Sequence, residues 1–379
     1  MIKTEGKLKK IGIVTLTAYF NYGNRLQNYA LQEILKRYSK EVETLVIPNI
    51  STSSHGTKYY IKKLFSQPLS KTAKSFANKI KNLSNKDILV ERERRFKEFS
   101  QNYIKERHFS SLYEINGISD EFDYIVTGSD QVWNPNFIKN LEQYYFLQFV
   151  EKEKRIAYAP SFGISEIPEE VRQQYKEWLS SIPYISVREK EGAKIIKQLI
   201  GRDVPVLVDP TLLLNKEKWL KISKEHKDKP KSKYLISYFW GKIPKERETL
   251  IKRIAKKYNL EIVNIANLSD KKTYTTDPSE FIDYINSASL VLTDSYHGSI
   301  FSILMETPFF VFERIGGPSM YSRIRTLLEM TKLKNREEKD IDLNKNLLEM
   351  DFSHVQSILN EERKKSFDFL KDALKLQNE

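Results

Sequence analysis

The chain has 379 residues and no cysteine, which excludes disulfides and thiolate metal sites. Its length favours two domains, and a hydrophobic content of 40% with 12% aromatic residues is typical of a globular protein. No segment reaches the apolar length of a transmembrane helix, and the N-terminus lacks an apolar stretch of the signal-peptide type. The sequence therefore predicts a cytoplasmic protein, either free or peripheral at the inner face of the membrane.

The first half of the chain alternates short apolar strands with amphipathic helices. Strands are predicted at residues 11–16, 43–47, 123–127, 155–159, 184–187 and 204–208. Helices are predicted at residues 26–38 and 168–181, and a third helix follows residues 188–189 and ends at residue 199. Residues 51–110 break this rhythm as a basic helical insert. We interpret residues 1–215 as an N-terminal α/β domain that contains this insert.

Most of the net charge of +13 comes from the insert, where residues 56–107 hold fourteen Lys or Arg and five Asp or Glu. One interpretation is a peripheral contact with an anionic membrane, because an apolar stripe runs among its lysines (Ile61, Leu64, Phe65 and Leu69). The other is a lid or solvated helical insert. No nucleic-acid-binding module is visible, and the near-helical spacing of the aromatic residues indicates packing, so nucleic acid is not a predicted partner.

The alternation restarts after a lysine-rich linker at residues 216–233. Strands are predicted at residues 234–238, 261–265 and 290–293, with helices at residues 245–258 and 278–287. We interpret residues 232–342 as a C-terminal α/β domain and residues 343–379 as a helical tail that packs back on the first half. The predicted fold class is therefore α/β, with two doubly wound, Rossmann-like domains facing a cleft.

The most informative segment lies in the second half, where an apolar strand ends at Asp294 and a helix opens at Gly298-Ser299. The first N–H groups of a helix bind anions, and His297 stands where such an anion would dock. A simpler interpretation is that Asp294 and Ser295 cap the helix and that His297 is a surface residue. The position of this turn between two apolar strands favours a reaction centre.

Polar loops also follow the strands of the first half. Asp130 and Trp133 can together orient a sugar, or they are a helix cap and a core residue. Arg188 follows an apolar strand, where its guanidinium can grip a phosphate or carboxylate, or it forms a surface salt bridge with Glu189 or Glu191.

Several familiar signatures are missing from the sequence. The first loop lacks the Gly-Lys-Ser/Thr ending of a phosphate loop and the Gly-x-Gly-x-x-Gly spacing of dinucleotide sites. No Gly-x-Ser-x-Gly elbow and no His-x-x-x-His or Asp-x-Asp metal motif is present. We therefore predict no metal and no bound cofactor.

Six motifs in order give the chain a resemblance to the polysaccharide pyruvyl transferase family. They lie at residues 21–31, 128–134, 159–163, 186–189, 208–211 and 294–298. The resemblance implies a GT-B-like architecture and transfer of the enolpyruvyl unit of phosphoenolpyruvate to two hydroxyls of one sugar. The product is a pyruvate ketal in a cell-surface or capsular glycan precursor, and the acceptor is a sugar or lipid-linked oligosaccharide. Phosphoenolpyruvate is then a co-substrate.

The resemblance also suggests roles for individual residues. It implies catalysis by His297, with Asp130 as base or hydroxyl orienter and Asp294 as the alternative. Donor binding is expected from Arg188, Ser295, Gly298, Ser299, Arg323 and Arg325. Acceptor binding is expected from Asn21, Asn24, Arg25, Trp133 and Asn134.

One position departs from the family pattern. Many members carry Arg-Leu-His where this chain has Ser295-Tyr296-His297. The donor then needs another arginine, for which Arg323, Arg325 and Arg25 are candidates. The alternative function is a GT-B glycosyltransferase using a nucleotide sugar, because His297-Gly-Ser followed by Glu306 and Pro308 is also similar to the donor-site helix of those enzymes.

Overall fold

The strands of the first half form one parallel sheet of six. The computed structural model describes residues 8–47, 73–268, 270–316 and 321–376, with the backbone alone at residues 73–85. The strand order is β3-β2-β1-β4-β5-β6. The strands are β1 (Leu8–Val14), β2 (Ser39–Val46), β3 (Glu106–His108), β4 (Tyr124–Thr127), β5 (Arg155–Ala157) and β6 (Tyr184–Ile185).

Helices connect these strands on both faces of the sheet. They are α1 (Tyr22–Leu35), α2 (Ala73–Tyr103), α3 (Glu142–Tyr145), α4 (Glu169–Ser180) and α5 (Lys190–Ile200). Helix α1 begins earlier than predicted because the Asn21 side chain caps it and accepts from the backbone N–H of Asn24. The predicted strand at residues 204–208 is reduced to a single bridge between Val187 and Val206, and a 3-10 turn follows at Pro210–Leu213.

The second half contains a parallel sheet of four strands in the order β10-β9-β7-β8. The strands are β7 (Tyr234–Tyr238), β8 (Glu261–Ile265), β9 (Leu290–Thr293) and β10 (Phe309–Val311). The helices are α6 (Lys216–Leu220), α7 (Lys245–Tyr258), α8 (Lys271–Tyr274), α9 (Pro278–Ser287), α10 (Tyr296–Met305), α11 (Tyr321–Met330) and α12 (Val355–Ala373). The predicted α/β class with doubly wound parallel sheets is confirmed.

Each sheet has one point where its strand order reverses, between β1 and β4 in the first sheet and between β7 and β9 in the second. Ligands in such sheets bind outside the carboxyl ends of the two strands at this point. The loops there are residues 15–21 and 128–130 in the first half, and residues 239–241 and 294–295 in the second. The topology therefore marks four loops as the place to look for a site.

The two halves share one hydrophobic core. Tyr22 of α1 stacks on Phe281 of α9 with ring centroids 4.3 Å apart, and its hydroxyl donates to the carbonyl of Thr276. Trp219 in α6 contacts both Tyr29 and Phe301. Burial of these large rings across the junction fixes the two sheets relative to each other.

Helix α2 contacts both halves of the chain, and helix α12 packs back on the first half. Arg92 of α2 is buried between aromatic rings and donates to the carbonyl of Phe20 in the first half and to that of Tyr274 in the second. Arg363 of α12 donates to the carbonyl of Leu212, so the tail lies against the first half. No described helix has the length and apolar character needed to cross a bilayer. The stripe from Ile61 to Leu69 lies outside the described residues.

We expect Phe281→Ala to lower the free energy of unfolding by about 3 to 5 kcal/mol, because it opens a cavity in the shared core. Phe137→Ala is the control, since that ring is 46% exposed and its loss should cost less than about 0.5 kcal/mol. Urea unfolding of the two variants measures both values. Equal losses in the two variants would contradict a packed junction.

Candidate active site

A cluster of charged side chains joins the two halves beside the marked loops. Asp130, Arg188 and Asp209 come from the first half, and His297 and Arg323 come from the second. They are linked by ion-pair contacts of 4 Å or less. We call these five residues the charged cluster.

Asp130 enters the cluster from the end of β4. Its backbone has φ of +68°, a left-handed conformation that is uncommon outside glycine and is concentrated at functional sites. Its carboxylate lies 3.2 Å from Nη2 of Arg188, and it accepts from Nδ2 of Asn24 at 2.5 Å. Burial raises the pKa of Asp130, but Arg188, His297 and Arg323 outweigh it, and the pKa lies below its ordinary value.

Arg188 lies beneath this carboxylate, at the end of the strand that leads into α5. Its Nη1 donates to Asp209, and its Nη2 donates to Asp130. The guanidinium also lies 4.6 Å from the ring centre of Tyr296. Burial lowers the pKa of Arg188, yet the two carboxylates raise it above the ordinary value, so this side chain remains a cation.

Asp209 is fully buried and connects four groups, one of which is the hydroxyl of Ser129, which donates to Oδ2 at 3.2 Å. Its Oδ1 accepts from the backbone and hydroxyl of Thr211. Its Oδ2 accepts from Arg188 and lies 3.5 Å from Nε2 of His297, an ion-pair distance rather than a hydrogen bond. Burial raises the pKa of Asp209, but His297 and Arg188 hold it well below the ordinary range. Sequence reasoning assigned no role to Asp209, although the motif at residues 208–211 contains it.

His297 is placed by the first turn of α10 and by Gly23 of α1. A Cβ on Gly23 would lie 2.0 Å from Nδ1 of His297, so the helix start touches the imidazole. The His297 side chain is thus held between α1 on one side and the Asp209 carboxylate on the other.

Arg323 reaches the cluster from α11. It lies 3.8 Å from Oδ1 of Asp130 and 5.5 Å from the ring centre of Tyr296. In the amide orientation that satisfies both groups, Gln131 accepts from Nη2 of Arg323 at 2.9 Å. Burial and the neighbouring charge of Arg188 lower the pKa of Arg323 to about 10.

The cluster has an inner and an outer layer. Asp209 and Arg188 form the inner layer and are 0% and 2% exposed, whereas Asp130 and His297 are each 6% exposed and Arg323 is 5% exposed. Within the described residues, the buried Nε atoms of Arg323 and Arg188 have no hydrogen-bond partner. All five residues are thus buried, and the three of the outer layer keep slightly more exposed surface than the two of the inner layer.

Two predicted residues of the second half serve the loop itself. The two oxygens of Asp294 accept from the backbone N–H groups of Trp240 and Gly241, each at 2.8 Å. Ser295 caps α10 by accepting from the N–H of Gly298 at 3.2 Å. Ser299 donates to the carbonyl of Ser295. Ser295 thus caps α10, whereas the Asp294 carboxylate holds the loop that follows β7.

Of the predicted acceptor residues, Asn24 and Asn134 lie beside the charged cluster, whereas Trp133 and Asn21 have structural roles. Asn24 and Asn134 are buried beside Asp130 and Gln131. Trp133 is fully buried and stacks on Phe146, with ring centroids 5.2 Å apart, which places it in the core. Asn21 caps α1.

Two candidate arginines lie outside the cluster. Arg25 forms a 2.6 Å ion pair with Glu106 and points toward β3. Arg325 is exposed and lies over the ring of Tyr321. Among the described residues, no group of three or more His, Asp or Glu side chains is arranged to hold a metal ion.

Gly23→Ala should displace the His297 imidazole. The φ of Gly23 is outside the left-handed region, so the clash alone decides the effect, which we expect to be a loss of about 1 to 3 kcal/mol in stability. NMR of the five histidines, with His297→Ala as the assignment reference, should show a shift of the His297 signal. Gly192→Ala is the control, because its new Cβ comes no closer than 3.2 Å to Phe162. An unmoved His297 signal would contradict the contact.

Asp209→Asn removes a charge that Arg188 needs, so we expect a loss of about 3 to 5 kcal/mol at neutral pH. Because the folded state lowers the pKa of Asp209, the carboxylate stabilises the fold above about pH 4 and less as the pH falls. The variant should therefore lose less stability on acidification than the original protein. Urea unfolding at pH 7 and pH 3 checks this, with Asp203→Asn as control, since the Asp203 side chain is 86% exposed. Equal pH slopes would rule out this role.

The solved structures found by comparison of the backbone share little sequence with this protein. A glycosyltransferase from Rickettsia africae is 11% identical, with 98% of this chain and 100% of that chain covered and a TM-score of 0.48. A UDP-GlcNAc 2-epimerase from Neisseria meningitidis, bound to UDP-GlcNAc, is 10% identical, with 94% and 100% covered and a TM-score of 0.41. An ADP-heptose heptosyltransferase II from E. coli is 11% identical, with 96% and 98% covered and a TM-score of 0.37. A search of curated proteins finds no match.

The sequence itself gives a clear family match. The family model for polysaccharide pyruvyl transferase covers residues 21–314. This range contains Asp130, Arg188, Asp209 and His297, and most of both sheets. The chain therefore belongs to the polysaccharide pyruvyl transferase family.

Proposed function

We propose that this protein transfers the enolpyruvyl unit of phosphoenolpyruvate to two hydroxyls of one sugar in a cell-surface glycan precursor. The observation that carries the proposal is the charged cluster, in which motifs from both halves of a pyruvyl transferase family chain meet. The acceptor is a sugar or lipid-linked oligosaccharide, and the reaction takes place in the cytoplasm.

The cluster suits a small, highly charged donor. Arg188 already has two carboxylate partners, so its charge is compensated within the protein. Arg323 lies 3.8 Å from a carboxylate that Arg188 also contacts, and it is the less compensated of the two cations. Burial deprives the guanidinium of Arg323 of hydrogen bonds to water. A phosphate or carboxylate of the donor would accept hydrogen bonds from it in their place. Arg323 thus supplies the positive charge that this chain lacks at Ser295.

The proton chemistry can be divided between two outer-layer residues. In its protonated form, His297 donates a proton to the methylene carbon of phosphoenolpyruvate as a sugar hydroxyl attacks the neighbouring carbon. Asp209 orients the imidazole from below. Asp130 accepts a hydrogen bond from the attacking hydroxyl and takes its proton as the new C–O bond forms.

Ketal formation then needs a second attack at the same carbon. The C–O bond to phosphate breaks, and the second hydroxyl of the sugar adds to the carbon that the phosphate leaves. Overall, one of the two hydroxyl protons is gained by the methylene group, which becomes a methyl group. The other is gained by the released phosphate. Oxidants and reductants are not required.

The nucleotide-sugar alternative requires a carboxylate near the anion site. Glu306 is the residue that the sequence offered for this role. It lies at the C-terminal end of α10, which has ten residues and so rises about 15 Å from the turn that holds His297. Its carboxylate lies 3.6 Å from Nζ of Lys216. This placement favours phosphoenolpyruvate over a nucleotide sugar.

Arg323→Met should weaken phosphoenolpyruvate binding roughly 10- to 100-fold, as expected for loss of a charge-assisted hydrogen bond of about 1.5 to 3 kcal/mol. Arg325→Met is a matched control two residues along α11, because that side chain is exposed. Calorimetric titration measures both affinities, and the thermal shift with saturating phosphoenolpyruvate gives a second readout.

UDP and GDP titrated in parallel provide the test of the alternative. Binding of phosphoenolpyruvate but neither nucleotide supports the proposed donor. Binding of a nucleotide alone would overturn it, and equal affinities in the two arginine variants would remove Arg323 from the donor site.

A further inference from the structure

Tyr296, the first residue of α10, lies among the residues of the charged cluster, although the proposed reaction gives it no role. Its side chain is buried, with 7% exposed. The ring centre lies 4.6 Å from the guanidinium carbon of Arg188 and 5.5 Å from that of Arg323. The ring of His297 meets it edge-on, with ring centroids 5.3 Å apart. One aromatic ring therefore lies beside three of the five residues of the charged cluster.

The ring of Tyr296 is close to two cations that repel each other. Burial, together with the positive charge of Arg188, lowers the pKa of Arg323 to about 10. The face of an aromatic ring carries partial negative charge and attracts a cation that lies within about 6 Å of its centre. Burial raises the pKa of Tyr296, so its side chain remains a neutral phenol. The attraction of Tyr296 for the two guanidiniums therefore comes from the face of its ring and not from a phenolate charge.

Arg323 is held less firmly by carboxylates than Arg188 is. Arg188 donates hydrogen bonds to Asp130 and to Asp209. Arg323 lies 3.8 Å from Asp130, which is an ion-pair distance and too long for a hydrogen bond. The ring of Tyr296 belongs to the capped first turn of α10 and so has a fixed backbone beneath it. A long side chain that lies against such a ring loses less conformational freedom when an anion binds to it.

We propose that Tyr296 is a positioning residue whose ring holds the Arg323 guanidinium in the orientation that binds the donor anion. The inference rests on the proposed function, in which Arg323 binds a phosphate or carboxylate of phosphoenolpyruvate. Without the ring, repulsion from Arg188 would turn Arg323 away from the site, and part of the binding free energy would be lost in returning it. Since Tyr296 directly precedes His297, one helix start would then place both the imidazole and the cation from α11.

Tyr296→Leu removes the aromatic face but keeps an apolar side chain. We expect phosphoenolpyruvate to bind this variant about three- to thirty-fold more weakly, as for loss of a buried cation–π contact. Tyr296→Phe keeps the ring and should bind within about two-fold of the original protein. Phe301→Leu is the matched control on the same helix, because its ring packs on Trp219 and Phe281 in the shared core. It should lower stability without changing the affinity that calorimetric titration measures.

A double-mutant cycle with Arg323→Met shows whether the ring acts through Arg323. In the Arg323→Met background, Tyr296→Leu should change the affinity for phosphoenolpyruvate by less than about two-fold. A full loss in that background would overturn the proposal. An unchanged or higher affinity in Tyr296→Leu alone would overturn it too, as would equal losses in Tyr296→Leu and Tyr296→Phe.

The same cycle measured by urea unfolding without ligand separates this proposal from the proposed donor. If the ring holds Arg323, the unfolding constant of the double variant should be about three- to thirty-fold smaller than the product of the two single effects. Strictly additive effects would overturn the contact. Coupling between the two residues, with no phosphoenolpyruvate binding by the original protein, would count against the donor and still support the hold of Tyr296 on Arg323.

Discussion

The structure of the site depends on one buried cation, the guanidinium of Arg188. A buried charge is tolerated only when it is paired, and Arg188 is paired with Asp130 on one side and Asp209 on the other. These pairs fix the end of β4 and the turn before Pro210–Leu213 relative to each other. Since Asp209 also lies beside His297, the same cation determines where the imidazole of the second half rests. The charged cluster is thus a structural element as well as a candidate reaction centre.

The site also requires that the two halves be packed against each other. Gly23 and Asn24 lie in the first turn of α1, and the same turn carries Tyr22, whose ring stacks on Phe281. One helical turn therefore contributes to the shared core with one side chain and to the site with its neighbours. Separation of the halves would expose the core and remove Gly23 from His297 together. In this fold, assembly of the site and burial of the junction are the same event.

The sequence predicted the places of the polar loops better than the directions of their side chains. Apolar strands ending at Thr127 and Thr293 were readable from hydrophobic patterning, and the positions of Asp130 and His297 follow from them. Trp133 follows Asp130 in its loop but points into the core, and Arg25 in the first turn of α1 points toward Glu106. That choice is made by tertiary packing, which local pattern does not encode. The motif at residues 208–211 contains Asp209, but its contacts with Arg188 and His297 follow from the tertiary structure alone.

Under the proposed function, the separation into an inner and an outer layer accounts for a donor site without an arginine at position 295. In the inner layer, positive and negative side chains compensate one another, so its geometry does not depend on a ligand. In the outer layer, Arg323 comes from α11, an element that follows the His297 helix and the strand after it. A cation on α11 approaches the anion from a different helix than a cation on the turn before α10 would. The charged groups of the donor would then contact α11, while the turn of α10 contributes the imidazole and the start of its helix.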